Sequence, residues 1–345
     1  MKNIKIFISC HKKVNFIKNS ILQPIQVGCA LNNDRYKDML SDNIGDNISQ
    51  LNPMYCELTA QYWAWKNIDT DYYGFCHYRR YFNFSKNEYA ENIFGVVEEK
   101  FLNRKAIAKY GFDENSIQEL VEKYDVIIPK INNLHKVGER NVFSQYEDAK
   151  FLHGEDIHTI YEIVKKLYPE FEKYSSEYLN GSDSIFCNMF IMKKDIFFHY
   201  CQWLFPILSE FCKCTDMHKY STEALRTPGH LSERLLGIYI TYLKNKYKNL
   251  RIKELQCVCF ESTESTEYLK PAFKERSIPV VFAANDAFVP MLSACMQSII
   301  EHYDINYNYD FVVLHTNISE TNRKELLRMV KSFTNLSLRF FNVDF

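Results

Sequence analysis

The sequence predicts an α/β protein in two parts: one whole domain of buried strands and helices, followed by a shorter, partial α/β unit. Three observations carry this. Short continuous apolar runs, IKIFISC at residues 4–10, YYGFC at 72–76 and DVIIP at 125–129, read as strands buried on both faces. Longer stretches with apolar residues at helical spacing separate them. From residue 278 the pattern becomes a strict strand–helix–strand–helix–strand run, which argues parallel strands joined by right-handed crossovers.

The elements follow in order. The first strand ends at His11, Lys12 and Lys13, and residues 15–51, rich in Asn and Asp, read as loop. Asn52 is placed to cap a helix with Pro53 at its first position. That helix, PMYCELTAQYWAWKN, repeats Tyr55, Leu58, Tyr62 and Trp65 at helical spacing. The YYGFC strand follows and runs straight into His77, Tyr78, Arg79 and Arg80. A helix near residues 116–123 precedes the DVIIP strand, and 130–145 read as a polar loop. A helix over about 155–167, a strand over about 186–192 and an aromatic helix over about 196–212 come next. Ser232 is placed to cap SERLLGIYITYLKNK, and KELQCVCF closes a first domain of residues 1–260. Residues 261–277 are polar without an apolar period and read as a linker. Residues 278–345 form the second unit: strand IPVVFAAN, helix PMLSACMQSIIEHY, strand DFVVLHT, helix SETNRKELLRMVKSF and strand LSLRFFNV.

Bulk properties exclude several classes. A net charge of −1 leaves no global field to draw in nucleic acid or a membrane surface. The 11 cysteines include CxC pairs at Cys212/Cys214 and Cys257/Cys259 but no CxxC, so they read as reduced thiols of a cytosolic protein rather than zinc ligands. No apolar run approaches the ~20 residues that a membrane span needs, and residues 1–10 read as a strand rather than a leader. Aromatics at 15% suit ring-lined pockets, though an AT-rich genome also yields Tyr and Phe.

Four constellations carry chemistry. In open α/β sheets ligands sit beyond the carboxyl ends of strands. His11, His77, Arg79 and Arg80 lie at such ends, and Arg forks with a His donor match a diphosphate. The segment Ser41 to Thr59 gathers Asp42, Asn43, Asp46, Asn47 and Asn52 around Gly45. These can grip sugar hydroxyls or form an Asx-rich surface turn. The next helix offers Tyr55 and Glu57 at an amino terminus that favours an anion. In HLSERLLGIY, Glu233 beside Arg234 at a helix start makes a workable general base, although acids are common there for the helix dipole alone. His153 and Asp156, three apart in SQYEDAKFLHGEDI, fall on one face if that region is helical, as part of a site or as a solvated surface.

These motifs together resemble a known family. IKIFISCHKK, DNIGDNISQLNPMYCELTAQYWAWKN, YYGFCHYRRYF, CNMFIMKKDIFFHYCQWLFPIL and HLSERLLGIYITYL, in that order over about residues 3–257, resemble domain-of-unknown-function family 4422, found in capsule and lipopolysaccharide gene clusters. That family is similar to glycosyltransferase family 111, which includes galactofuranosyl transferases. IPVVFAANDAFVPMLSACMQSIIEH resembles the opening of family 8 glycosyltransferases, whose Asp-x-Asp metal motif lies beyond the strands present here. The second unit is therefore expected to be incomplete and inactive.

The resemblance implies a GT-A-like, Rossmann-type mixed sheet and a UDP-sugar glycosyltransferase of capsule or O-antigen synthesis. Galactofuranose is the candidate sugar. The implied acceptor is a glycan or a lipid-linked oligosaccharide, which would place the protein in the cytoplasm, at the inner face of the membrane. Transfer from a UDP-α donor to a β product would invert the centre, with Glu233 as first choice of base and Asp183 as second. Asn188, in the CNMF motif, and His153 would contact substrate. In GT-A enzymes an acid pair holds a divalent metal about where His77, Arg79 and Arg80 stand here, so fixed positive charge is expected to replace a cofactor. Mn²⁺ or Mg²⁺ would enter only through Asp69 and Asp71, a D-x-D that precedes the strand. Two other readings stand beside this one: a non-catalytic sugar-binding or docking module, and a phosphotransferase, which would need a nucleophile such as Cys76 next to the basic cluster.

Overall fold

The structure, a computed structural model, describes residues 2–263 and 271–343. Contacts divide the chain into two units, Met1–Thr266 and Glu267–Phe345.

In the first unit β1 (Ile4–Cys10), β2 (Leu22–Gln26) and β3 (Leu40–Ser41) run parallel. The short helix α1 (Asn52–Tyr55) and α2 (Leu58–Asn67) lead into β4 (Tyr72–His77), which pairs parallel to β1. A tight turn joins β4 to β5 (Arg80–Phe82), and β6 (Val96–Phe101), α3 (Arg104–Lys109), α4 (Glu114–Val121) and β7 (Val126–Pro129) follow. A two-stranded ribbon of β8 (Asn132–Asn133) and β9 (Asp183–Ser184) encloses α5 (Val142–Glu147), α6 (Glu155–Leu167) and α7 (Glu172–Asn180). Then come β10 (Phe190–Lys193), α8 (Lys194–Cys214), α9 (Thr227–Lys246), β11 (Ile252–Leu255) and β12 (Cys257–Ser262). The main sheet runs β11-β7-β10-β4-β1-β2-β3, with β10 antiparallel to both its neighbours. β12 extends it by pairing with β5 and β6.

The strands are continuous apolar runs because both faces are covered. Tyr73 and Phe75 of β4 pack into a cluster with Trp63, Phe190, Phe197 and Trp203, while Tyr72 and Cys76 enter a second cluster with Ile6, Tyr81 and Phe260. Gly74 lies at the tightest point. A Cβ there would come 2.8 Å from Ile6 and 2.9 Å from Ile191, the side chains of the two flanking strands.

Several expected boundaries change. The predicted loop 15–51 contains β2 and β3, and the predicted loop 130–145 contains the start of α5. The single helix expected after Asn52 is broken at Cys56, whose φ of +49° is a left-handed conformation. The strand expected over 186–192 begins at Phe190, because Cys187 is left-handed at φ +68°. Ser232 caps nothing: α9 begins five residues earlier, with Pro228 in its first turn, and Ser232 is buried inside it. KELQCVCF is two strands that change partners at Gln256, whose side chain binds Tyr89 and Glu91. Residues Glu261 and Ser262 of the expected linker belong to β12, Ser277 opens the next strand, and 264–270 lie outside the described residues.

In the second unit, β13 (Ser277–Ala283), β14 (Asn308–His315) and β15 (Leu336–Asn342) form a parallel sheet joined through α10 (Val289–His302) and α11 (Glu320–Val330). Leu292, Met296, Phe311, Val313 and Leu326 form its core.

Candidate active site

Two adjoining cavities open at the carboxyl ends of β1 and β4. One, of about 360 Å³, is walled by His77, Arg80, Asn188, His230 and Glu233 among others, and the second, of about 380 Å³, by His11, Val27, Asn52, Pro53, Thr222 and Leu225. Ser9, Cys56, Glu57, His77 and Arg226 line both, so the two are lobes of one depression with a common neck.

The hairpin register explains which basic residues reach it. His77 and Arg80 are directly paired across β4 and β5, which puts both side chains on one face. Tyr78 and Arg79 form the turn. Arg79 lies with its guanidinium 5.6 Å from the Tyr78 ring centre and lines neither lobe. His11 stacks edge-on against the same ring at 5.1 Å. Among the described residues neither Arg80 nor Arg226 has a carboxylate partner within ion-pair distance; Arg226 donates through Nε to the Cys56 thiol at 3.2 Å.

Electrostatics revise the expected cluster of three cations. Burial pushes His77 down to about 3, helped by Arg80, His11, Arg79 and Arg226, so the imidazole is neutral at pH 7. His230 falls to about 4 by burial and by Arg234 and Arg226. His11 is also lowered, chiefly by burial. The fixed positive charge at the cavity is that of Arg80 and Arg226, and the histidines act as neutral hydrogen-bonding groups.

Two carboxylates face these cations. Glu233, from α9, pairs with Arg234 at 3.0 Å, and Arg234 is held in turn by the His230 carbonyl and Gln145. Burial raises the Glu233 pKa, the Arg234 charge opposes this, and the Glu57 charge adds to the rise. Glu57 follows the left-handed Cys56 and accepts a 2.7 Å hydrogen bond from Asn188. A desolvated carboxylate with a raised pKa is a stronger base than a solvated one.

Other predicted residues are committed to the fold. Asp42 is fully buried and accepts from the Gly28 and Cys29 amides and from the Ser49 and Thr59 hydroxyls, so it holds the β2–β3 edge and grips no ligand. Asn43 and Asn47 line neither lobe; Asn47 bonds the Gly45 carbonyl and the Ser49 amide. Asp46 accepts from the Tyr62 hydroxyl, and Tyr55 is buried against Cys212. Asn52 does line a lobe, although its amide also binds the Cys56 carbonyl. Asp183 sits on the β8–β9 ribbon, bonded to Asn133, away from both lobes. Asp156 is buried and accepts from Tyr220 and Thr227, and His153 stacks on Tyr220 at 4.0 Å; neither lines a lobe.

Asp69 and Asp71 lie at the amino end of β4, opposite the cavity. Asp69 pairs with Lys194, and Asp71 accepts from the Asn3 amide and lies 3.6 Å from Lys2, so they do not fit a metal site serving this cavity. Burial pushes the Cys76 thiol up to about 12, far from a thiolate nucleophile.

Sequence reasoning missed Arg226 and His230. Both lie in LRTPGH, where the Thr-Pro-Gly signal of a helix start was available one turn before Ser232.

No curated protein matches the chain. It is similar to the apo structure of WbbM, described as a bifunctional glycosyltransferase, at 38% identity and a TM-score of 0.73. That match covers 98% of this chain and 59% of the other, so the chain spans about three-fifths of that protein's length. The family described as domain of unknown function DUF4422 matches residues 5–246, and the chain belongs to it.

Proposed function

We propose that the first unit is a glycosyltransferase that moves a sugar from a nucleoside-diphosphate donor to a glycan acceptor. One observation carries this reading: two guanidinium groups without carboxylate partners among the described residues share a cavity with a largely buried carboxylate, Glu233, at the carboxyl ends of parallel strands. The similarity to a bifunctional glycosyltransferase supports it.

The nucleoside fits the lobe lined by Val27, Pro53, Leu225 and Asn52, and the sugar fits the lobe holding Glu233. The diphosphate then spans the neck, against Arg226, Arg80 and the neutral His77. In an inverting transfer Glu233 takes the acceptor hydroxyl proton, the oxygen forms a bond to the anomeric carbon, and the bond from that carbon to the diphosphate oxygen breaks. The leaving diphosphate keeps the electron pair, and the two guanidiniums stabilise its charge without a metal. UDP as the nucleotide, galactofuranose as the sugar, and capsule or O-antigen as the product follow the family resemblance. A lipid-linked acceptor would bring the protein to the inner membrane face; among the described residues no helix is long and apolar enough to cross a membrane.

Calorimetry with UDP and a panel of UDP-sugars, in EDTA and in Mn²⁺, tests the reading. Binding in EDTA that weakens at least tenfold in Arg80→Ala and in Arg226→Ala supports it. Binding that requires Mn²⁺ and survives both substitutions refutes the metal-independent clamp. Tight binding with no transfer to any glycan acceptor would instead favour a docking module.

A further inference from the structure

Resting on the glycosyltransferase reading, we infer that Glu57 is the carboxylate that recognises the transferred sugar and that Asn188 is the residue that positions it. The two cavity carboxylates are held in different ways. Glu233 lines only the inner lobe and is tied to a guanidinium. Glu57 lines both lobes, at the neck between the nucleoside and the sugar, and is tied to a neutral amide.

The orientation of that amide follows from its neighbours. Asn188 Nδ2 stands 2.7 Å from Glu57 Oε1 and 3.1 Å from the Gly229 carbonyl. Both are acceptors only, so the NH₂ group must face them and the side chain cannot turn over. Its Oδ1 stands 2.8 Å from the Ser232 hydroxyl, whose single proton it shares with the Gly229 carbonyl at 2.6 Å. Asn188 is 5% exposed, and with both donors and its oxygen engaged it has little left to offer a substrate. The sequence expectation of Asn188 as a sugar ligand gives way to a positioning role.

Glu57 has capacity that Asn188 lacks. Only Oε1 has a hydrogen-bond partner among the described residues, and Oε2 has none. Oε2 is not among the buried, unpartnered side-chain atoms, so it reaches the open cavity. A carboxylate oxygen with its lone pairs available accepts sugar hydroxyls through charge-assisted hydrogen bonds. The left-handed Cys56 breaks the chain between α1 and α2 and delivers Glu57 at that corner. The Asn188–Ser232 chain ties this corner to α9, one residue before Glu233, so the sugar-recognising acid and the base are fixed in one frame.

A double-mutant cycle tests the inference. Affinities for UDP and for UDP-hexoses, with the donor KM and kcat, are measured on wild type, Glu57→Gln, Asn188→Ala and the double variant, and melting temperatures identify any variant that fails to fold. Glu57→Gln is isosteric and removes one negative charge beside the diphosphate, so UDP affinity is expected to hold or rise while tenfold or more of the extra affinity that the sugar confers is lost. Asn188→Ala is expected to raise the donor KM more than it lowers kcat, and the double variant to bind donor no worse than Glu57→Gln, because Asn188 acts through Glu57. Additive losses in the double variant overturn the positioning role. Unchanged sugar discrimination in Glu57→Gln overturns the inference even where wild type binds and transfers normally. A wild type that binds no nucleotide in the first place fails the parent reading instead.

Discussion

The segment from Ser41 to Asn52 and the hairpin from His77 to Arg80 look alike in sequence: dense polar side chains beside buried strands. In the structure they differ in kind. Asp42 has four protein donors around its two oxygens and no exposure, whereas Arg80 lines a cavity with no carboxylate partner within ion-pair distance among the described residues. The lesson is that residue type marks both a structural knot and a binding site, and only the count of satisfied partners separates them. The second unit adds an example of the knot. Asp286, just past the end of β13, accepts from the Ser319 amide and the Asn322 side chain and is held by the fold in the same way as Asp42.

The largest test crosses the two regions. Asp42→Ala leaves two buried amides without acceptors and should cost about 3–5 kcal/mol, roughly 10 °C in melting temperature. The refolded fraction should still bind nucleotide. Arg80→Ala should do the reverse, with melting within about 1 °C of wild type and donor affinity down roughly tenfold to a hundredfold. Thermal melts and calorimetry on both variants check this. Similar losses in both measurements for both variants would erase the distinction.

A smaller effect probes how the hairpin is aimed. Gly74 lets β1 and β10 close on β4 from both sides, and Gly74→Ala must push Ile6 or Ile191 aside. Overpacking of this kind costs about 1–3 kcal/mol. Because the shift acts along the strand that ends in His77, donor affinity should fall with stability. A melting curve with unchanged nucleotide affinity would show that the cavity is insulated from the strand interior.

Much of this was legible in the sequence, for identifiable reasons. Doubly buried strands leave continuous apolar runs, so β1, β4 and β7 were readable, as were the long helices α6, α8 and α9. What failed was set by distant partners. β2, β3 and the ribbon strands are short and mixed in composition, and only pairing makes them strands. The breaks at Cys56 and Cys187 are invisible because cysteine has no preference for the left-handed region, yet both residues line the cavity. The hairpin turn decided that Arg80, and not Arg79, lines the cavity. Glu57, His77, Arg80 and Glu233 were chosen from sequence by chemistry and spacing. Arg226 was passed over because it is a single arginine in a polar stretch, and only the fold brings it to the neck.

The last test concerns the charge state of His77, whose effect vanishes at pH 7 and grows only on acidification, with a sign that follows from burial. The folded protein holds this imidazole at about 3, against an ordinary 6.5, because burial and then Arg80, His11, Arg79 and Arg226 oppose protonation. Between those two values the unfolded chain binds a proton that the folded chain does not, so stability rises with pH across that window and is lost as pH falls through it. The slope from one such group is at most ~1.4 kcal/mol per pH unit. His77→Gln should flatten the curve, leaving a residual slope in the same direction from His11 and His230, which are also lowered. A diphosphate in the neck supplies the missing negative charge and favours the protonated ring. UDP binding should therefore take up protons below pH 6.5, and affinity should strengthen from pH 7 to pH 5 in wild type but less so in His77→Gln. Calorimetry in buffers of different ionisation enthalpy measures that proton uptake directly. Zero uptake with intact UDP binding would mean that His77 does not face the phosphates, and would leave the Arg80 and Arg226 guanidiniums as the cationic contacts of the diphosphate.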